Sequence, residues 1–218
     1  MRRKDDQAWW RVVTAVAVPI VILHSLQGTW FSANDMLQID RLTHVGRIDR
    51  VDVYIHWSVF AIAIVMLMGV MRQPATTVVG IACWLGVLLL HECGHMVAAK
   101  RRGSAVHAIE LYPIYAVTRF DAPWSRFDHA IIAWGGVLAQ ALFAVPAVLW
   151  IKFLGYTPFN AVNEVLVLFG FFSIAVAVFN LLPFPPLDGA IAWQIVPAAI
   201  ERARRSKQQR ESGWRSHR

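Results

Sequence analysis

Polar surface is scarce in this sequence. Charged residues fill 16% of its 218 positions, 57% are hydrophobic, and the mean hydropathy is +0.47. A soluble domain of similar length carries roughly 25% charged residues and exposes polar faces along most of its helices. The shortage argues against an ordinary water-soluble domain and for a chain in which lipid replaces water around apolar helices. Cysteine is also scarce. Cys83 and Cys93 are the two present, and ten residues of helix would hold them roughly 15 Å apart, too far for a bridge. Neither a disulfide scaffold nor a cysteine-based zinc site is suggested, and Cys93 reads as a small residue of a membrane helix. Acidic residues are fewer than basic ones, 14 against 21, for a formal net charge of +7. The basic residues lie between and outside the apolar runs, at Arg2 to Lys4, Lys100 to Arg102 and Arg202 to Arg218, with no aromatic-interleaved stripe. They read as topology signals and headgroup contacts, and no nucleic-acid partner is expected.

The apolar runs give the organisation. A first one, residues 12–23, is broken by Pro19 and preceded by Trp9 and Trp10. It lacks a small-residue cleavage pattern, so it is expected to stay in the mature protein, as an interfacial or a transmembrane helix. Residues 28–54 are polar, with Val45, Ile48, Val51, Val53 and Ile55 spaced for one or two short strands. Four spans follow, over 55–71, 75–99, 130–151 and 162–182. The expected fold is therefore an all-α polytopic helix bundle with short membrane-associated strands. Residues 1–44 form an N-terminal helix and linker, 45–200 the membrane domain, and 201–218 a basic tail expected to be disordered. Trp9, Trp10, Trp150 and Trp193 are expected in the interfacial belt. The loop over 103–128 alternates partly through Val106, Ala108, Glu110, Tyr112, Ile114, Ala116 and Thr118. It reads either as an edge strand able to pair with an extended peptide or as an ordinary interfacial loop.

Lys and Arg placement orients the spans. With residues 28–54 in the cytoplasm, that side receives Arg41, Arg47 and Arg50, then Lys100, Arg101, Arg102, Arg119 and Arg126, then the basic tail. The opposite side receives Arg72 and Lys152. A crossing first segment would put Arg2, Arg3 and Lys4 outside, which favours a helix that does not cross.

Within the second long span, His91, Glu92 and His95 read H-E-x-x-H. A spacing of four places both imidazoles on one helix face, one turn apart, where they can share one tetrahedral zinc ion. Glu92 sits beside the first ligand as a base for zinc-activated water. Two imidazoles and a carboxylate in an apolar helix are costly to insert, so they mark either a function or a polar interior face. A catalytic zinc usually takes three protein ligands, and Asp188 is the candidate for the third. It follows Pro183, Pro185 and Pro186, which forbid a continuous helix, and precedes Gly189, which permits a close turn. Irregular backbone at membrane depth is tolerated where it lines a cavity. Glu110, after a charged loop, and Glu164, at the far end of its span, are less well placed. Asn180, an amide in an apolar helix, suits either a donor to an oxyanion or helix glue. His56 suits a contact to substrate or to the ligands' supporting shell, or with Trp57 an interfacial anchor. By helix rise the ligands lie roughly 10–14 Å below the cytoplasmic boundary.

On these residues the chain resembles the site-2 protease family of intramembrane zinc metalloproteases. The match is carried by His91-Glu92-Cys93-Gly94-His95 and by Asn180 through Gly189, supported by Val53 to Ser58 and by Ala133-Trp134-Gly135-Gly136. The resemblance covers residues 45–200 and implies a three-helix metalloprotease core. It implies zinc ligation by His91, His95 and Asp188, a base at Glu92, and substrate holding or polarisation at Asn180. Two departures fall near the expected gating region: Gly136 stands where the family has proline, and 110–120 lacks a glycine-rich stretch. The implied activity is zinc-dependent hydrolysis of peptide bonds in membrane-embedded proteins, locally unwound because a helix hides its carbonyls. A zinc-binding membrane regulator without proteolysis is the alternative. No PDZ or CBS domain is evident, so control is expected from a separate regulatory protein, a prior cleavage or substrate abundance.

Overall fold

The computed structural model describes residues 42–69, 74–113 and 115–215. The first apolar segment and the rest of 1–41 lie outside the described residues, as do 70–73, 114 and 216–218. Strands β1 (Leu42–Ile48) and β2 (Val51–His56) form a hairpin. Its two-residue turn puts Asp49 at φ 46° and Arg50 at φ 66°, the left-handed pair that suits the twist of a tight hairpin. Helices α1 (Trp57–Gly69) and α2 (Pro74–Arg101) then lead into β3 (Val106–Leu111) and β4 (Ala116–Phe120). The sheet order is β1-β2-β3-β4, with β2 and β3 parallel and the outer pairs antiparallel. Where the sequence left the 103–128 segment open between a strand and a loop, the chain forms a hairpin whose second strand is a sheet edge among the described residues.

The sheet packs on α2. Val51, Val53, Ile109 and Leu111 share a core with Val59, Trp84, Leu88 and Met96, each fully buried branched or aromatic side chain contributing about 1.5–3 kcal/mol over exposure. The hairpin turn is also tied to the end of α2, because Lys100 Nζ donates to the Asp49 carbonyl and, at 2.9 Å, to its carboxylate. Helix α2 ends on Lys100 and Arg101, with Gly103 at φ +79°. Those are the cationic last turn and left-handed residue that terminate helices.

Helix α3 (Arg126–Leu154) is capped by Ser125, whose hydroxyl accepts from the Asp128 N–H. It ends at Gly155, which follows the 29 helical residues at φ 76°. Helix α4 (Asn160–Val167) continues through a π-helical turn at Leu168–Phe172 into α5 (Ser173–Asn180). Among the described residues three helices are long and apolar enough to cross a membrane: Thr76–Arg101, Arg126–Leu154 and Asn160–Asn180. Large apolar side chains such as Leu138, Leu142 and Phe153 face outward, as lipid contact requires. The span expected from Ile55 starts later, at Trp57, because Ile55 and His56 belong to β2. Among the described residues α1 has 13, about 20 Å by helix rise against a hydrocarbon core of about 30 Å.

The C-terminal part differs from expectation. After the short α6 (Gly189–Ala192), α7 runs over Ile195–Arg215, through the basic segment expected to be disordered. Residues 195–209 have no glycine, one proline near the start and many strong helix formers. Propensity therefore favours continuation even with side chains 201–209 exposed all round. Trp193 is likewise more than a belt residue: its indole donates to the Leu181 carbonyl at 2.7 Å and meets the Trp134 ring edge-on.

Candidate metal centre

Helix α2 brings His91, Glu92 and His95 into the bundle interior, exposed by only 5%, 5% and 6%. Each imidazole is oriented from α3. His91 Nδ1 lies 2.9 Å from Gln140 Oε1, and His95 Nδ1 lies 2.8 Å from the Ile132 carbonyl oxygen. Both partners are acceptors, so each ring can donate from Nδ1, and a neutral imidazole that does so turns a lone pair on Nε2 toward Asp188. The two Nε2 atoms are 3.0 Å apart. Asp188 Oδ2 lies 2.8 Å from His91 Nε2 and 3.1 Å from His95 Nε2.

Three acceptor atoms in a triangle of that size repel one another unless a cation lies among them. Ligands about 2.0–2.1 Å from a tetrahedral zinc lie roughly 3.3 Å from each other, so the triangle needs only slight spreading. The residues therefore fit a zinc ion. The ligating atoms of His91, Glu92 and His95 also lie within 4.8 Å of one another, which puts the Glu92 carboxylate against the same space.

Two features hold Asp188 there. Three prolines interrupt helix formation over 183–186, and a β-carbon on Gly189 would lie 2.2 Å from the Leu181 carbonyl oxygen. Glycine therefore allows the chain to double back on the end of α5. Trp193 ties the return to Leu181, and Trp134 Nε1 donates to the Ala192 carbonyl at 3.0 Å. Asp188 remains the open side of the triangle, its side chain 25% exposed against 6% and 8% for the imidazoles.

Glu92 is held from the sheet. Thr118 Oγ1 on β4 lies 2.7 Å from Glu92 Oε2 and 3.1 Å from the Glu92 carbonyl oxygen. Glu92 and strand β4 are thus in direct contact. The alternative acidic residues are engaged elsewhere. Glu110 pairs with Arg119 and accepts from the Tyr112 hydroxyl at 3.1 Å; burial, then the Glu110 charge, pushes that hydroxyl well up. Glu164 faces α2 near Gly80, 3.0 Å from where a β-carbon there would stand. His56 bonds Ser58 and packs beside Tyr112 at a ring separation of 5.3 Å. Asn180 closes α5, half-buried, at the head of the Asp188 loop.

Gln140, Thr118 and Gly136 are the residues that sequence reasoning missed or misjudged. Gln140 carried a signal, as a lone amide inside an apolar span, the ground on which Asn180 was noticed. Thr118 carried none, since its contact depends on sheet register. Gly136, placed by the sequence in an atypical gating region, packs on the imidazoles. A β-carbon there would come within 2.6 Å of His91 Cε1 and 2.7 Å of His95 Nε2.

Parts of the chain are similar to known proteins. Residues 152–216 match the description of peptidase family M50. A provisionally named zinc metalloprotease of Synechocystis sp. is 32% identical over 124 residues, 50% of this chain and 30% of that protein. The provisionally named zinc metalloprotease Rip3 of Mycobacterium tuberculosis is 29% identical over 160 residues, 66% of this chain and 41% of its own length. The chain thus matches less than half the length of these relatives. The fold is similar to that of the site-2 protease from Methanocaldococcus jannaschii, with a TM-score of 0.55, 22% identity and 72% of each chain covered.

Proposed function

We propose that this chain, which belongs to peptidase family M50, the site-2 proteases, is an intramembrane zinc metalloendopeptidase acting on membrane-embedded proteins. The supporting observation is the convergence of His91 Nε2, His95 Nε2 and Asp188 Oδ2 within 3.1 Å, beside a buried Glu92. In this reading the three side chains hold one zinc ion per chain. A bound zinc supplies Lewis-acid chemistry, lowering the pKa of water and polarising a carbonyl.

The chain's own residues do the rest. Glu92 takes the proton from the attacking water and returns it to the leaving amine. Gln140 and the Ile132 carbonyl keep the imidazoles turned toward the ligand position, and Thr118 keeps the Glu92 carboxylate from rotating away. Asn180 offers an amide N–H to the oxyanion from the head of the Asp188 loop. His56, near Tyr112 at the sheet end of α1, contacts the substrate's flank. The peptide is extended along β4, the edge strand among the described residues, whose backbone can pair with an added strand. Thr118 places that edge next to the base.

The charge distribution supports a cell-membrane protein with the site nearer the cytoplasmic face, since α2 ends on Lys100 and Arg101 and α7 is basic. The test is purified protein with a tethered single-span substrate. Wild type and Glu92→Gln should both hold zinc while only wild type cleaves; equal cleavage by the variant rejects the mechanism.

A further inference from the structure

Gln140 is fully buried in α3, with its Oε1 2.9 Å from His91 Nδ1. Its amide Nε2 is buried as well and has no hydrogen-bond partner among the described residues. An unsatisfied amide in an apolar helix is unfavourable, and leucine or methionine would fill the same volume without it. The arrangement makes physical sense when the other end of the amide is needed. His91 is the group that needs it.

An imidazole ligates through a nitrogen that carries no proton. With Oε1 toward His91, the ring proton belongs on Nδ1 and the lone pair on Nε2, facing Asp188 and His95. With the amide reversed, its N–H would point at Nδ1, drive the proton to Nε2 and close the ring to a metal. His95 needs no such side chain because the Ile132 carbonyl, a fixed acceptor, does the same service. The two ligands are therefore set by different means, one by backbone and one by a replaceable side chain.

We propose that Gln140 is a positioning residue that fixes the His91 tautomer and ring plane for metal binding. The inference rests on the zinc reading given above. It is tested on the full-length protein in detergent by chelator competition for zinc, and on the metal-free protein by 15N chemical shifts of the His91 ring. In Gln140→Leu, zinc affinity should fall about 10–100-fold, the usual effect of removing a ligand's hydrogen-bond partner. The metal-free His91 ring should then populate the Nε2–H form. The thermal midpoint should change little, because loss of the orphan amide offsets loss of the hydrogen bond to His91. Gln140→Glu keeps an acceptor and should restore most of the affinity and the Nδ1–H form. Unchanged affinity and tautomer in Gln140→Leu overturn the inference and leave the zinc reading standing. A wild-type protein that holds no zinc overturns both. If Gln140→Leu does not fold, loss of zinc in a folded Gln140→Glu overturns the inference by itself.

Discussion

Gly94 and Gly135 meet backbone to backbone where α2 crosses α3. A β-carbon on Gly94 would stand 2.3 Å from the Gly135 carbonyl oxygen, and one on Gly135 would stand 2.5 Å from that of Gly94. Ala98 and Ala139 flank the contact one turn further on, each within 2.8 Å of a β-carbon added to the opposite glycine. Small residues four apart on both helices allow such an approach in lipid, where association depends on close packing. Gly94 lies inside the H-E-x-x-H turn, so this crossing sets how near the imidazoles come to α3.

Gly94→Ala and Gly135→Ala should therefore act on the fold. Forcing the helices apart costs about 1–3 kcal/mol, as overpacking usually does. Thermal unfolding in detergent checks it, and an unshifted midpoint would remove the crossing from the account.

Gly136→Ala should act on the site instead. The added carbon would press on both imidazoles, and zinc affinity should fall by about 10–100-fold, as when a ligand's support is disturbed. The fall should exceed what any change in thermal midpoint explains.

Much of this was legible in the sequence. The H-E-x-x-H spacing, the three prolines ahead of Asp188 and the apolar runs are local patterns, and local geometry turned them into the observed side-chain cluster and helices. The Gly135-Gly136 pair was visible but its meaning was not, because steric exclusion by a neighbouring helix leaves no mark in one helix's own periodicity. Thr118 was hidden for a similar reason. Its contact with Glu92 follows from the pairing of β4 with β3, Thr118 opposite Ile109, and register between strands is a long-range property.

Replacing Asp188 and Glu110 separates the proposed third ligand from a structural acid. Asp188→Asn should weaken zinc binding more than the about 10–100-fold typical of supporting residues. Glu110→Gln should leave zinc binding unchanged and lower the thermal midpoint, since it strips a buried carboxylate from Arg119 and Tyr112. Chelator competition with unfolding curves reads both, and reversed outcomes would reassign the third ligand.

Thr118→Val removes a hydroxyl while keeping the shape. A hydrogen bond to a charged group is worth about 1.5–3 kcal/mol, and here its loss should appear mainly as a lower kcat, with KM and zinc content unchanged. Thr118→Ser should restore the rate. A change confined to KM would instead make Thr118 a substrate contact.

The spacing of the centre along the chain has a consequence for biosynthesis. His91 and Asp188 are 97 residues apart, with α3 and the Asn160–Asn180 helix between them. A nascent chain paused after α2 presents two imidazoles and a glutamate, and the carboxylate that completes the triangle leaves the ribosome only after both later spans. Under the proposed ligand set the centre cannot be completed, and the proposed hydrolysis cannot begin, until both later spans have been made.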